Sequence, residues 1–306
     1  VEAGVPLDDD IGMPGGSTGK TFVVALTMLL VEDGTITLDD RAGRWLASTP
    51  WFADLPNADA IRVRHLLSHT SGIGDYPDSR RYQMATFWRA IRHGSVRFEP
   101  DQLIGYVLGR KPLFSVGEGF YYSDAGYLVL GRLIEAAAGR RYYDLLGERV
   151  LKPLQLTRVR PADRSVLPDI AVGYNRGARN LGDDGRMKFD PTSEWTGGGL
   201  VTTPTMLVQF FAALADAEVV RAGSLQAMLD GGWRDPGAPS HYGFGVFVDH
   251  RRDAFGHGGM WPGYRTDVSH FRASSLTISV QSNSDRSFDT EGLMDRLKGL
   301  VNDDPA

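Results

Sequence analysis

A serine and a lysine three residues apart, directly before a long apolar run, constrain this chain more than any other feature of its sequence. Ser17-Thr18-Gly19-Lys20 leads into residues 22–31, which are apolar except for Thr27. We interpret residues 17–33 as a buried helix that ends at the turn Asp33-Gly34. Residues three apart lie one turn apart on the same helix face, so the serine and lysine side chains are expected to meet at the start of this helix.

This pair is chemically suited to nucleophilic catalysis. A serine hydroxyl is a weak nucleophile at neutral pH and needs a base within hydrogen-bond distance. Burial would lower the pKa of Lys20 and make its amine that base. Backbone N–H groups at the helix N-terminus would stabilise a developing anion at Ser17. Serine and lysine are common residues, however, so the hypothesis needs support from the rest of the chain.

The composition excludes several classes of function. The chain has 306 residues, a net charge of −5 and no cysteine. The charge argues against a nucleic-acid partner, and the lack of cysteine excludes disulfides, thiol catalysis and cysteine-ligated zinc. The apolar run at 22–31 is too short to span a bilayer, and the first residues have no signal-peptide pattern. The sequence therefore predicts a soluble protein, either cytoplasmic or exported with its signal removed.

The remaining periodicity predicts helices in the middle of the chain and strands near its end. Helices are expected at 62–69, 101–108, 125–138, 142–150 and from Pro204 onward, where Thr203 is the N-cap. Residues 35–40 are expected to be extended, and 75–100 to form surface helix and loop. The segments 242–248, 266–271 and 276–281 predict an antiparallel meander, and the apolar stripe at 293–301 predicts a closing helix.

Two further motifs make the pattern specific. Tyr122-Ser123-Asp124 lies between a glycine turn and a predicted helix, and His257-Gly258-Gly259 lies between predicted strands. In this order and at these spacings, the three motifs resemble those of the serine β-lactamase-like hydrolases. That family includes class C β-lactamases, DD-peptidases, and related esterases and D-aminopeptidases. The resemblance covers residues 12–301 and includes the flanking segments 63–73, 122–135, 151–157 and 197–203.

The resemblance implies a role for each motif residue. Ser17 is the expected nucleophile, Lys20 and Tyr122 share the work of the base, and the lysine cation is expected to lower the pKa of the tyrosine. Backbone N–H groups of Ser17 and Met260 are the expected oxyanion hole. The expected substrate-binding and oxyanion residues are Asp124, His257, Gly258, Gly259 and Met260. The resemblance implies neither a cofactor nor a metal.

Two departures from the family pattern bear on the substrate. Asp124 stands where the family has asparagine, and a carboxylate accepts hydrogen bonds but donates none. Asp124 would pair with Lys20, accept a hydrogen bond from a substrate N–H, or serve only as a carboxylate at the start of a helix. His257 and Gly258 replace the lysine and threonine that help hold the substrate carboxylate in true β-lactamases. We therefore expect esters, amides or peptides as substrates, with Arg265 as either a carboxylate contact or a surface residue.

The expected fold is α+β, with an antiparallel sheet flanked by helices and a mostly helical lobe, as in β-lactamases and transpeptidases. Residues 1–306 would form a single catalytic domain, with a sheet lobe at approximately 1–45 and 235–306 and a helical lobe at approximately 46–234. Only sixteen residues precede Ser17, so the strands that the family places there are expected to be missing. A homo-oligomer partner or a complementing N-terminal segment would then cover the open sheet edge.

Other interpretations have less support. Residues 15–21 are similar to a phosphate-binding loop, but Pro14 stands where that motif needs its first glycine. His65 and His69 are four apart, but Leu66 replaces the glutamate of zinc proteases. The expected function is a serine hydrolase acting on a small ester, amide or peptide, most simply a carboxylesterase or a D-amino-acid or peptide hydrolase. The alternatives are a β-lactamase or DD-carboxypeptidase, and a non-catalytic ligand sensor.

Overall fold

Helices occupy the middle of the chain, and the main strands lie near its end. The structure, a computed structural model, describes residues 7–8, 10–286 and 289–303. The helices are α1 (Gly19–Glu32), α2 (Gly43–Leu46), α3 (Val63–Leu67), α4 (Arg80–His93), α5 (Pro100–Ile104), α6 (Asp124–Ala138), α7 (Tyr142–Leu146), α8 (Pro204–Ala215), α9 (Ala222–Asp230) and α10 (Thr290–Asp303). The strands are β1 (Met13–Pro14), β2 (Arg160–Pro161), β3 (Tyr174–Asn175), β4 (Ala178–Arg179), β5 (Leu200–Thr202), β6 (Ser240–Tyr242), β7 (Phe247–Asp249), β8 (Ala254–Trp261), β9 (Tyr264–Phe271) and β10 (Leu276–Ser282).

The main sheet is an antiparallel meander in the order β10-β9-β8-β7-β6. β8 and β9 form a hairpin along their whole length. β7 is shorter and pairs only with residues 254–256 of β8. The same edge of β8 from His257 onward is therefore not paired with β7, and it borders the space in which Ser17 lies.

α8 and α10 cover opposite faces of this sheet. On one face Phe211 of α8 lies beside Phe255, with ring centroids 6.5 Å apart. On the other face Met294 of α10 packs in one cluster with Phe271. Alternate residues of a strand point to opposite faces. Val268 and Phe271 both lie on β9, but Val268 therefore packs on the α8 side and Phe271 on the α10 side. The predicted α+β fold, an antiparallel sheet flanked by helices, is confirmed, and so is the closing helix.

α1 is the buried helix that the apolar run predicted. Every side chain at 22–26 is fully buried, and Phe22 stacks on Phe210 of α8 with ring centroids 3.7 Å apart. A Cβ on Gly19 would lie 2.8 Å from the Cα of Gly198, so two backbones touch at the first turn of the helix. The start of α1 therefore lies deep inside the molecule.

A small three-stranded sheet holds the segment before α1 in place. β1 pairs with one edge of β5, and β2 pairs with the other edge. The chain then makes a 3-10 turn at Gly16–Thr18, and α1 begins at Gly19. Ser17 thus lies in a turn directly before the α-helix that was predicted to start with it.

α6 and α8 begin where the sequence predicted. Ser123 Oγ accepts a hydrogen bond from the Gly126 N–H at 3.0 Å. Thr203 Oγ1 accepts one from the Met206 N–H at 3.3 Å. Each hydroxyl satisfies a backbone donor that would otherwise be unpaired at a helix start. The cap of α6 places Asp124 in the first turn of that helix.

The prediction of an extended segment at 35–40 is wrong, because these residues form turns. The Asp33 carboxylate accepts a hydrogen bond from the Thr35 N–H, and the Asp40 carboxylate accepts one from the Thr37 N–H, each at 3.0 Å. Short polar side chains that bond nearby backbone groups favour turns over strands. The helices predicted at 62–69, 101–108 and 142–150 are present as α3, α5 and α7, with shorter α-helical spans.

The single strand predicted at 242–248 is instead a hairpin. β6 ends at Tyr242 and β7 begins at Phe247. The Gly243 N–H donates to the Val246 carbonyl at 2.8 Å, and Gly245 has φ +68, a left-handed conformation that glycine adopts readily. The alternation of apolar residues continues through this turn, so the pattern alone did not reveal it.

The outer edge of the main sheet is β10. Among the residues that the structure describes, β10 pairs with β9 and with no other strand. The expected cover from a homo-oligomer partner or an N-terminal segment stays a prediction, as do the approximate lobe boundaries. None of the helices in the described ranges has both the length and the apolar character needed to cross a membrane.

Candidate active site

Residues from three distant segments meet in one cleft of about 360 Å³. The first segment is the turn before α1, the second leads into α6, and the third comprises β7, β8 and β9. The cleft is lined by Ser17, Tyr122, Phe247, His257, Gly258, Gly259, Met260, Arg265 and Asp267. The structure thus brings the three sequence motifs together.

Close backbone contact holds the turn that carries Ser17 against β8. Gly16 has φ +55, and a Cβ there would lie 2.6 Å from the backbone nitrogen of Met260. A Cβ on Gly259 would lie 2.0 Å from the carbonyl oxygen of Gly15. Only glycine allows the two backbones to come this close. The backbones of Ser17 and Met260 therefore border the same small space.

Lys20 lies beneath Ser17 and is completely buried. Its Nζ donates to Ser17 Oγ at 3.0 Å, to Asp124 Oδ1 at 2.5 Å and to the Gly197 carbonyl at 2.5 Å. An ammonium has three donors, so these contacts use all of them. Of the roles considered for Asp124, a contact with Lys20 is the one that the structure contains.

The pKa of Lys20 is shifted in the opposite direction from the one expected from burial. Burial lowers the pKa of its ammonium, but the Asp124 carboxylate and, to a lesser extent, Tyr122 raise that pKa above its ordinary value. The prediction of a free amine is wrong because the contacts with Asp124, at 2.5 Å, and with Tyr122 together outweigh the loss of hydration. Lys20 is therefore a cation in the resting protein.

Tyr122 lies beside this cation but is not ionised. The Lys20 Nζ is 4.9 Å from the centre of the Tyr122 ring, and the centres of the His69 and Tyr122 rings are 4.1 Å apart. Burial raises the pKa of Tyr122 to about 12, although the Lys20 cation and the nearby Ser17 hydroxyl lower it. The predicted lowering of this pKa is wrong because burial of the phenol has the larger effect. Tyr122 is thus a neutral phenol at neutral pH.

His257 is a neutral histidine on β8. Burial and repulsion from Lys20 lower the pKa of its imidazole to about 3. Its Nδ1 lies 2.6 Å from the Gly258 carbonyl, and its Nε2 lies 3.0 Å from the Tyr242 hydroxyl. A neutral ring satisfies both contacts when Nδ1–H donates to the carbonyl and Nε2 accepts from the tyrosine. His257 therefore supplies no positive charge to the cleft.

Three buried ionisable residues next to the site belong to none of the three catalytic motifs. Asp75 accepts hydrogen bonds from the Ala125 and Tyr76 N–H groups at 3.0 and 2.9 Å, so it anchors the start of α6. Burial and repulsion from Asp124 raise the pKa of Asp75 to about 7. His69 Nδ1 accepts from the Ser123 N–H at 3.0 Å and thereby orients the tyrosine motif.

Glu194 is the third of these residues. Burial and repulsion from Asp124 raise the pKa of its carboxyl to about 8, although attraction to Lys20 lowers it. Its Oε2 is buried and makes no hydrogen bond within the described residues. The sequence around Glu194 contains no catalytic motif, so only its position in the fold identifies it.

Replacing Glu194 with Gln is expected to stabilise the protein at alkaline pH. The folded-state pKa of about 8 exceeds the ordinary value of 4.5. The contribution of Glu194 to stability is therefore fully present below pH 4.5 and is lost as pH rises through about 8. Glutamine has no proton to lose, so the melting temperature at about pH 9 should rise by several degrees.

Thermal melts followed by circular dichroism across this pH range check that expectation. Glu218→Gln changes an exposed glutamate and serves as the control, which should gain no stability as pH rises. A melting temperature for Glu194→Gln that stays at or below that of the wild type in alkaline buffer would contradict the burial argument.

Arg265 lies in the wall of the cleft. Its side chain is 37% exposed, and its Nε is 3.5 Å from Asp267 Oδ2. His65 and His69, the two histidines considered as zinc ligands, have separate partners. His65 accepts a hydrogen bond from the Arg62 N–H at 3.1 Å, and His69 accepts one from the Ser123 N–H at 3.0 Å. Of these residues, Arg265 alone lines the cleft itself.

Comparisons with known proteins point to one family. A sequence profile described as Beta-lactamase matches residues 1–302. Penicillin-binding protein 4* of Bacillus subtilis (strain 168) is 26% identical over 292 residues, covering 90% of this chain and 61% of its own length. A D-aminopeptidase of Brucella anthropi is 28% identical over 289 residues, covering 91% of this chain and 51% of its own. A D-stereospecific amidohydrolase from Streptomyces sp. has a solved structure with a TM-score of 0.83 and 25% identity, covering 94% of this chain and 86% of its own.

The chain thus spans 61% and 51% of the length of the two curated relatives. The family profile, in contrast, matches nearly the whole chain, from before the serine–lysine motif to residue 302 in α10. The arrangement of sheet and helices agrees with that of the solved amidohydrolase. The chain belongs to the beta-lactamase family.

Proposed function

We propose that this protein is a serine hydrolase that cleaves an ester or amide through an acyl-enzyme on Ser17. The observation that carries the proposal is the position of Ser17 Oγ, 3.0 Å from the fully buried Lys20 Nζ and in the wall of the cleft. A nucleophile within hydrogen-bond distance of an oriented base is the arrangement that covalent catalysis requires. Asp124 orients that base.

The proton of Ser17 would pass to the Lys20–Tyr122 pair. Both groups are protonated in the resting state, so the reactive form is the minor one in which the pair has lost one proton. That form accepts the hydroxyl proton as Oγ attacks the substrate carbonyl, and it returns the proton to the leaving group. Water then repeats the sequence in reverse and releases the acid product.

The oxyanion that forms during attack would be held by the backbone N–H groups of Ser17 and Met260. Supporting this is the tight contact of the serine turn with β8, where Gly16 and Gly259 leave room for no side chain. Preorganised backbone donors at such a position stabilise the transition state more than the bound substrate. Gly258 and the edge of β8 beyond its pairing with β7 would lie along the substrate chain.

The substrates best supported are esters, D-amino-acid amides and short peptides. His257 is neutral and Gly258 has no side chain, so neither supplies the charge and hydroxyl that hold a carboxylate in true β-lactamases. The similarity to a D-aminopeptidase and to a D-stereospecific amidohydrolase supports the same choice. One observation favours a carboxypeptidase or β-lactamase as second candidate: Arg265 lines the cleft, where its guanidinium would pair with a substrate carboxylate.

A substrate panel tests the proposal. Initial rates with p-nitrophenyl esters, D- and L-amino-acid amides and nitrocefin are compared between the wild type and Arg265→Ala. We expect hydrolysis of esters or D-amino-acid amides, with little change in the variant. Nitrocefin turnover that exceeds these rates and falls with Arg265→Ala would establish the second candidate instead. Tight ligand binding without any turnover would indicate a sensor.

Replacing Asp124 with Asn is expected to move the pH–rate profile towards lower pH. The carboxylate raises the pKa of Lys20, so its removal lowers that pKa and increases the fraction of free amine at any given pH. A charge pair at this distance typically shifts a pKa by about 1 to 3 units. The alkaline rise of kcat/KM for a neutral ester should therefore begin at least about one unit lower, which is about a tenfold gain at neutral pH.

The matched control is Asp101→Asn, an aspartate in the first turn of α5 that pairs with Arg132 at 2.7 Å outside the cleft. Its profile should coincide with that of the wild type. A shift of the Asp124→Asn profile to higher pH would show that Asp124 has a different role from holding the lysine proton.

A further inference from the structure

α4 is an amphipathic helix whose apolar side faces outward. None of its 14 residues is buried. Its four large apolar residues recur at spacings of three, one and three, which places them on one side of a helix. We call them the α4 stripe: Met84, Phe87, Trp88 and Ile91 are exposed by 62%, 59%, 50% and 60%. An exposed apolar stripe of this kind indicates a binding surface.

The opposite side of α4 attaches the helix to the protein. Tyr82 is half-buried, and its ring centroid lies 5.0 Å from that of Tyr76, 5.2 Å from that of Phe98 and 5.5 Å from that of Tyr106. Arg89 also lies over the Phe98 ring, at 4.4 Å. The stripe is therefore not needed to dock the helix, and polar substitutions there leave these contacts in place.

Every charged residue of α4 is basic. Residues 79–98 contain five arginines and no acidic residue, although the chain as a whole has a net charge of −5. Arg81 and Arg92 are three helical turns apart and flank the stripe on the same side, and Arg80 lies one turn before its first residue. Within the described part of the chain, Arg97 pairs with Glu99, but no arginine of α4 pairs with an acid.

We propose that α4 attaches this protein to an anionic lipid surface, with the α4 stripe in the interfacial layer and the arginines on lipid phosphates. Basic residues flanking exposed Trp and Phe on a surface helix are the composition of interfacial helices. A two-fold contact between two copies of α4 is disfavoured because it would bring identical arginines together. A bilayer requires no groove, and α4 presents a single convex helix.

One hydrogen bond links the segment before α4 to the segment that leads into the cleft. The helix follows Asp78, whose carboxylate accepts a hydrogen bond from the Tyr121 hydroxyl at 2.5 Å. Tyr121 directly precedes Tyr122 of the cleft. The proposal concerns binding to lipid alone and does not depend on which bond the cleft hydrolyses.

Vesicle flotation tests the proposal with the full chain. Wild-type protein is mixed with phosphatidylcholine vesicles that either contain or lack phosphatidylglycerol, at low and at high salt. We expect it to float with the anionic vesicles only, and to bind less at high salt because screening weakens the arginine contacts. Failure to bind anionic vesicles at low salt, or equal binding to both vesicle types, would overturn the proposal without any variant.

Two double variants separate the apolar and basic contributions. Phe87→Ser with Trp88→Ser should abolish flotation, whereas Leu113→Ser with Val166→Ser, which alters residues 52% and 45% exposed elsewhere, should not. Arg81→Ala with Arg92→Ala should weaken binding about fivefold per arginine, the equivalent of about 1 kcal/mol each. Melting temperature confirms that each variant is folded.

Two results with the variants would overturn the proposal. Undiminished flotation of the serine variant would mean that the stripe does not enter the bilayer and that binding is only electrostatic adsorption. Concentration-dependent dimers in size-exclusion chromatography that disappear in the same variant, without vesicle binding, would assign the stripe to a second copy of the chain.

Discussion

Replacing Ser17 with Ala is expected to reduce kcat for the best ester or amide substrate by at least about 10⁴-fold, the usual scale for loss of a catalytic nucleophile. The variant lacks the atom that forms the acyl-enzyme, so the remaining contacts bind the substrate but provide no covalent route. The fold should be unaffected, because Ser17 Oγ makes its hydrogen bond to Lys20, and Lys20 keeps two other partners.

Steady-state kinetics and a thermal melt check this expectation together. Ser240→Ala is the matched control, since Ser240 is an exposed serine at the start of β6 and lies outside the cleft. It should keep the wild-type kcat. Substantial turnover by folded Ser17→Ala would remove Ser17 from the mechanism and with it the role assigned to Lys20.

The second largest effect is expected at Gly259, where Ala should lower kcat at least about a hundredfold. Its Cβ would lie 2.0 Å from the Gly15 carbonyl oxygen, which belongs to fixed backbone and cannot turn away. β8 must then move away from the turn that carries Ser17. The two N–H groups assigned to the oxyanion hole separate, which affects the transition state more than substrate binding, so KM should change less than kcat.

Two other glycine variants, one adjacent and one distant, provide a graded control. A Cβ on Gly258 would meet only a flexible side-chain oxygen of Asp267 at 2.8 Å, so Gly258→Ala should cost less. Gly223 in α9 has no atom within 4 Å of such a Cβ, and Ala there should favour the helix slightly without affecting rate. Equal rates for the folded Gly258 and Gly259 variants would argue against an oxyanion hole at this contact.

The sequence predicted the positions of the site residues better than their charge states. Ser17, Tyr122 and His257 were identified from motif order and spacing, and the structure brings them to one cleft. The pKa of Lys20 was predicted with the wrong sign, because it depends on a contact with Asp124 across 104 residues of sequence. The sequence offered a contact with Lys20 as one of three roles for Asp124, but local patterns could not select it.

The same difference holds for the fold: elements with local sequence signals were predicted, and features that depend on distant contacts were not. The buried helix α1, the helix α6 and the cap of α8 were predicted because their signals lie within a few residues of each other. The hairpin between β6 and β7 was missed because the alternating pattern continues through its turn. Asp75 and Glu194 were missed since nothing in their sequence context indicates that the fold brings them close to Asp124.

Covalent trapping tests the central claim most directly. The protein is incubated with a slowly hydrolysed p-nitrophenyl ester, quenched in acid and analysed by intact mass and peptide mapping. The account predicts a single added acyl group on the peptide that contains Ser17, and no such group in Ser17→Ala. An acyl group on a different residue, or full turnover with no acylated intermediate in either protein, would contradict it.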